Sequence, residues 1–191
     1  MSASPVTLDE VRRALESYEP VRLPELGRPA AVLVPLFERA GRAHVLLTKR
    51  TETLRNHAGQ ISFPGGGQEL GDAHLAATAL RETHEELGLS AEAVTIVGAL
   101  DDCPTFVSNF VITPWVGVVP ADYPYVPSTA EIAALIEAPL DAFLAPGVLR
   151  TEEHERSGSR FTLSFYEVAG HTVWGATARI LTRLFELVGR A

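Results

Sequence analysis

Three glutamates carry the strongest chemical signal in this sequence. Glu82, Glu85 and Glu86 stand at i, i+3 and i+4, a spacing that crowds their side chains onto one strip of a helix. Like charges so placed destabilise an isolated helix by about 0.2–0.5 kcal/mol per pair. A hard divalent cation reverses the sign of that interaction, because Mg²⁺ favours carboxylate oxygens together with water and phosphate. The plain alternative is a solvated acidic face. Position favours the cation: on a helical wheel Glu86 falls about 20° from Ala79, beside the apolar stripe rather than opposite it. A carboxylate at the rim of a buried face needs a partner. Arg81 is one candidate and a cation is another.

The elements that must position these acids can be read around them. Asp72 to Leu87 forms the clearest helix, with Leu75, Ala76, Ala79, Leu80, Thr83 and Leu87 on one face, Asp72 as N-cap and Gly88 as the stop. Upstream, Pro64-Gly65-Gly66-Gly67 breaks a short strand at Gln60–Phe63. Glycines turn sharply and let backbone N–H groups approach an anion. A phosphate chain and a metal could meet there. Farther out, Thr7 caps a helix carrying Leu8, Val11 and Leu15, and residues 21–29 form an extended lead-in. Strands are expected at Ala30–Phe37, His44–Thr48, Val94–Leu100 and Phe110–Val119. A helix is expected at Ala130–Ala138, a hairpin from Val148–Glu155 and Arg160–Val168, and a last amphipathic helix from Ala176 to Val188.

The whole chain bounds what such a site could serve. Its 191 residues fit one domain, 1–191, with residues 1–29 as helix and lead-in. A composition 46% hydrophobic and 21% charged is that of a globular protein. The net charge of −8 has the wrong sign for a broad nucleic-acid-binding surface. A small anionic substrate met by a local Arg cluster remains compatible. One cysteine, Cys103, excludes an intramolecular disulfide. With no apolar run near the ~20 residues of a membrane span, and no secretory pattern at the N-terminus, the expected partners include no membrane and the expected compartment is the cytoplasm. Cys103, Trp115 and Trp174 read as packing residues. Glu131 reads as a first-turn helix residue near a positive dipole end, in preference to a loop acid brought toward the metal.

Gly67, Arg81-Glu82, Glu85-Glu86 and Gly88-Leu89 stand in the spacing of the Nudix box, which residues 67–89 resemble. The pattern departs at Ala73, where the box has its first Glu, and at Thr83, where an aliphatic residue is usual. Asp72 is adjacent and offers a substitute acid. The resemblance implies a Nudix fold, an α/β (α+β) architecture with a mixed β-sheet sandwiched between α-helices. It also implies Mg²⁺ or Mn²⁺ as cofactor. Glu82 and Glu86 would be the metal ligands, Glu85 a further ligand or a base, and Arg81 a support for a glutamate.

The segment Leu46-Leu47-Thr48-Lys49-Arg50-Thr51, with Arg55, Gly59 and Phe63-Pro64-Gly65-Gly66, resembles the extra signature of the coenzyme A diphosphatase branch. Thr51 departs from the Ser or Ala usual there. Trp174-Gly175-Ala176-Thr177-Ala178 is similar to that branch's C-terminal motif. The implied reaction cleaves coenzyme A or acyl-CoA to adenosine 3′,5′-bisphosphate and 4′-phosphopantetheine. Arg50, Arg55, Gly65, Gly66 and Gly67 would bind substrate, with the arginines meeting phosphate bidentately. His57 and Gln60 would organise the loop. Other nucleoside diphosphate derivatives (ADP-ribose, NADH, nucleoside triphosphates) are the runner-up substrates, and a non-catalytic nucleotide sensor is the rival from another class. Such hydrolases are often dimers, which leaves a homodimer open.

Overall fold

The structure is a computed structural model describing residues 4–23, 26–53, 57–105, 108–156 and 159–190. Its first helix, α1 (Leu8–Glu16), begins on a capping box. The Glu10 N–H donates to Thr7 Oγ1 at 3.3 Å and the Thr7 N–H donates to Glu10 Oε2 at 2.9 Å, satisfying donors that the helix itself leaves free. Leu8, Val11 and Leu15 are buried, as their period predicts.

Strand β1 (Arg28–Arg39) turns into β2 (Arg42–Arg50) through Ala40-Gly41, both at positive φ, the geometry that matches a hairpin's twist. Two very short strands follow, β3 (Ile61–Ser62) and β4 (Gly65–Gly67), and then the acidic helix α2 (Leu75–Leu87). Strands β5 (Thr95–Ala99), β6 (Cys103–Pro104), β7 (Phe110–Val118) and β8 (Ile132–Pro139) complete an eight-stranded sheet. A three-stranded sheet of β9 (Leu149–Arg156), β10 (Ser159–Val168) and β11 (His171–Trp174) leads into helix α3 (Gly175–Leu187).

The large sheet is mixed, since β1 runs parallel to β7 from Arg28↔Phe110 to Leu36↔Val118, while its other pairings are antiparallel. Alternation along β1 divides the core in two. Val32, Val34 and Leu36 pack with Leu8, Val11 and Leu15 of α1 and with Leu181, Leu184 and Phe185 of α3. Ala31, Leu33 and Phe37 pack with Ala79 and Leu87 of α2. Helices therefore cover both faces, as the expected sandwich requires.

On its second edge β1 changes partner. Residues Leu36–Arg39 pair with β2, but Ala30–Val32 pair with the glycines of β4. Beyond Val45, β2 leaves β1 and pairs with β3 at Thr48 and Lys49, while β8 pairs with it from His44 to Arg50. A cleft opens beside this exchange, with Ala30, Ala31 and Val32 on its floor.

Three expectations are corrected. Residues 130–138 are not helical; Ile132–Pro139 pairs antiparallel with β2, from Arg50↔Ile132 to His44↔Pro139. Glu131 is therefore not a first-turn helix residue; it stands in the turn just before β8. Helix α2 starts at Leu75 with His74 as its cap, donated to by the Ala77 N–H at 3.0 Å. Asp72 lies outside the helix because its carboxylate is taken by Arg81, Thr78 and the Glu69 N–H. The sequence reading also omitted β6 and β11. The turn Ala169-Gly170, both at positive φ, is the hairpin signal that could have revealed β11.

Candidate functional site

Gly65, Gly66 and Gly67 form a strand because the backbone of β1 lies against them. A Cβ on Gly65, whose φ is +153°, would sit 2.3 Å from the Ala31 carbonyl oxygen. At Gly66 a Cβ would come within 2.5 Å of the Glu82 carboxylate. Glycine here lets α2 bring its acids directly onto the turn. All three glycines line the cleft, which has a volume of about 630 Å³.

Glu86 is the most buried of the three helix acids, its side chain only 6% exposed. It accepts the Gly65 N–H at 3.2 Å on Oε2, and Arg50 Nη1 stands 3.5 Å from Oε1. Burial raises its pKa to about 7, against the lowering effect of Arg50 and Gly65. The Gly65 N–H is therefore engaged by Glu86 rather than free for an anion. Glu82 also lines the cleft, and burial pushes its carboxyl up despite Arg81. Glu85 is more exposed and turns to Arg81, Oε2 lying 3.2 Å from Nη1. The sequence placed three acids together; the structure brings Glu82 and Glu86 to the cleft and leaves Glu85 at its margin.

Arg81 holds this arrangement rather than facing the cleft. Its guanidinium donates to both oxygens of Asp72, at 3.0 and 3.1 Å, and to the Gly67 carbonyl at 3.1 Å. It also pairs with Glu82 at 3.0 Å. Asp72, beside the vacant acidic position at Ala73, is held well below the usual carboxylate range, chiefly by Arg81. This guanidinium staples helix to turn.

Arg50, at the end of β2, enters the cleft where the β2–β8 register shifts between Lys49 and Arg50. Besides Glu86 it meets Glu131, Nη2 to Oε2 at 3.7 Å. Glu131 lines the cleft too, which favours the loop-acid reading over the first-turn helix one. Arg55 lies outside the described residues. His57 and Gln60 bond each other at 2.7 Å, organising the loop while still lining the cleft. Phe63 is core, and Cys103 is buried in β6. Trp174, read as a packing residue, is 40% exposed; its ring stacks on Phe165 and lines the cleft. Phe161, Leu163, Ala176 and Ile180 extend that apolar wall.

The donor set suits a hard divalent cation. Glu82, Glu86 and Glu131 are all oxygen donors, and Arg50 faces the last two at 3.5 and 3.7 Å. Among the described residues, no group of three or more His, Cys, Asp or Glu side chains is already gathered for a metal ion. No helix is long and apolar enough to cross a membrane among those residues.

Comparison with known proteins agrees with this geometry. The NUDIX domain family model matches residues 27–156. A protein of Cronobacter sakazakii named "Uncharacterized Nudix hydrolase NudL" is 42% identical over 197 residues, covering 99% of this chain and 98% of its own. One of the same name from Citrobacter koseri is 39% identical over 193 residues, with the same coverages of 99% and 98%. In fold, a Nudix hydrolase of M. smegmatis, RenU, superposes with a TM-score of 0.56 at 19% identity, covering 85% of this chain and 86% of that one. The box, the sandwich and this full-length similarity place the chain in the Nudix hydrolases, a family that acts on pyrophosphate bonds and generally uses divalent metal ions.

Proposed function

We propose that this chain hydrolyses the diphosphate linkage of coenzyme A or an acyl-CoA, giving adenosine 3′,5′-bisphosphate and 4′-phosphopantetheine or its acyl form. The observation that carries this reading is the make-up of the cleft. Acids from α2 and Arg50 form one wall, while Phe161, Leu163, Trp174 and Ile180 form another. A diphosphate bearing a long, weakly polar arm uses both walls; ADP-ribose or a nucleoside triphosphate leaves the apolar one unused. The resemblance of Leu46–Gly66 to the coenzyme A diphosphatase signature supports the same choice.

In this reading Glu82 and Glu86 would hold Mg²⁺ or Mn²⁺, with Glu85 as a further ligand or as the base that takes a proton from water. Held by these residues, such an ion would supply positive charge against the leaving phosphate and acidify water for attack. Arg81 positions Glu82 through Asp72 and Gly67. Arg50, and Arg55 from the same segment, would donate to phosphate oxygens, with Gly65–Gly67 giving the close backbone approach. The substrate is a small molecule, and a cytoplasmic enzyme would meet it there.

A substrate panel tests the proposal. Purified protein with Mg²⁺ should release adenosine 3′,5′-bisphosphate from coenzyme A, with kcat/KM about tenfold or more above that for NADH, ADP-ribose or a nucleoside triphosphate. Preference for one of the latter overturns the coenzyme A reading. Absence of turnover on every diphosphate overturns the catalytic one.

A further inference from the structure

Both oxygens of Glu86 are occupied by donors that differ in kind. Oε2 receives the Gly65 N–H, and that backbone is held by β1, with Gly65 in register with Val32 where there is no room even for a Cβ. Oε1 faces Arg50, a flexible side chain at 3.5 Å, the far limit of a hydrogen bond. The guanidinium is not fully satisfied there, for its Nε is buried and has no hydrogen-bond partner. Such a donor costs stability until it finds an acceptor.

Arg50 also has somewhere to go. Glu131 Oε2 lies 3.7 Å from Nη2, while Glu86 is met by Nη1. The two residues are held as neighbours by the Thr51 N–H, which donates to the Glu131 carbonyl at 2.8 Å. A guanidinium and a divalent cation on one carboxylate oxygen repel each other strongly at this range. One must yield, and the backbone amide cannot.

We propose that Arg50 is an exchangeable counter-ion of Glu86: it competes with the divalent cation for this carboxylate, and metal binding releases it toward Glu131 and the substrate's phosphate oxygens. The inference rests on Glu86 being a metal ligand. It adds to the phosphate-binding role of Arg50 a coupling between the two binding events, because the group that must leave for the metal is the group that then meets the diphosphate.

The test reads Mn²⁺ affinity of the full chain by electron paramagnetic resonance, without substrate. Arg50→Gln should tighten Mn²⁺ binding about thirtyfold, the effect of removing one unit charge ~4 Å from a divalent ion at the dielectric of water. Arg50→Lys, which keeps the charge, should stay within about twofold of wild type. Lys49→Gln removes a neighbouring charge that pairs with Glu52 instead, and it too should change little. Glu86→Gln should weaken binding about tenfold or more. Weaker Mn²⁺ binding in Arg50→Gln, with Glu86→Gln also weakened, would mean that Arg50 only braces the glutamate, and the competition is refuted while the metal site stands. Equal tightening in Arg50→Gln and Arg50→Lys refutes it as well, since charge is then not the cause. Unchanged affinity in Glu86→Gln overturns both the competition and the ligand assignment beneath it.

Discussion

Asp102 and Glu86 are buried to almost the same degree, with side chains 5% and 6% exposed, yet they are supplied very differently. Asp102 receives Arg22 and the Leu23 N–H at 2.8 Å and the Thr113 hydroxyl at 2.7 Å. Its neighbour Asp101 accepts from the Tyr18 hydroxyl, from the Val21 N–H at 2.7 Å and from Arg183 Nε at 2.8 Å. Burial works against ionisation of Asp101, but those donors outweigh it and hold its carboxyl below the usual range. Glu86 has one amide at 3.2 Å and one guanidinium at 3.5 Å, and burial wins. The aspartate cluster ties residues near both chain ends to the sheet and is complete as it stands. The glutamate cluster is under-supplied, as the proposed binding of a cation and a diphosphate there would require.

Breaking each cluster should therefore have opposite signatures. The largest effect is expected for Glu86→Gln: turnover should fall by about a hundredfold or more through loss of a metal charge, with thermal stability near wild type. Turnover within about twofold of wild type would erase the distinction between the clusters. A smaller effect is expected for Gly66→Ala, whose new methyl displaces only the flexible end of Glu82. Its kcat should drop roughly tenfold with little change in melting temperature; a folding defect instead would mean that the turn, not Glu82, is what glycine protects.

Asp101→Asn should leave kcat and KM nearly unchanged while lowering stability by about 2 kcal/mol through lost charge-assisted hydrogen bonds. Its pH dependence follows from the depressed folded-state pKa. The contribution is fully present above the ordinary aspartate value of 3.8 and disappears as pH falls through the lower folded value. The difference in melting temperature between wild type and variant should thus be constant near neutrality and shrink only below about pH 4. A difference that persists undiminished in strong acid would show that packing, rather than charge, links Asp101 to Tyr18 and Arg183.

The carboxylate helix, the glycine turn and strand β1 were legible because each depends on local sequence. Strand β8 was not. Its sequence, Ile132-Ala-Ala-Leu-Ile-Glu-Ala-Pro139, is built from good helix formers, and buried Ile132 and Ile136 also fit a helical period. The unpaired edge of β2 overrides that propensity by offering backbone partners from His44 to Arg50. Asp72 was misassigned for a related reason: an acid before a helix reads as a cap, but the guanidinium nine residues later claims it. Glu131 could not be found from spacing at all, since only the β2–β8 pairing brings it beside Arg50. Nor could the role of Trp174, whose exposure follows from packing of the C-terminal sheet along the cleft.

The parallel pairing of β1 with β7 joins Arg28 to Phe110, and it sets a timetable for the molecule. The cleft floor, the glycine strand and the acidic helix all rest on β1, and all precede β7 in the chain. Closing so long a loop costs entropy before any contact repays it. A chain emerging from the ribosome can complete every element of the box and still lack the strand that fixes β1 in place. The box is thus fixed by the arrival of a strand that carries none of its acids, and Glu131 and the apolar wall come later still.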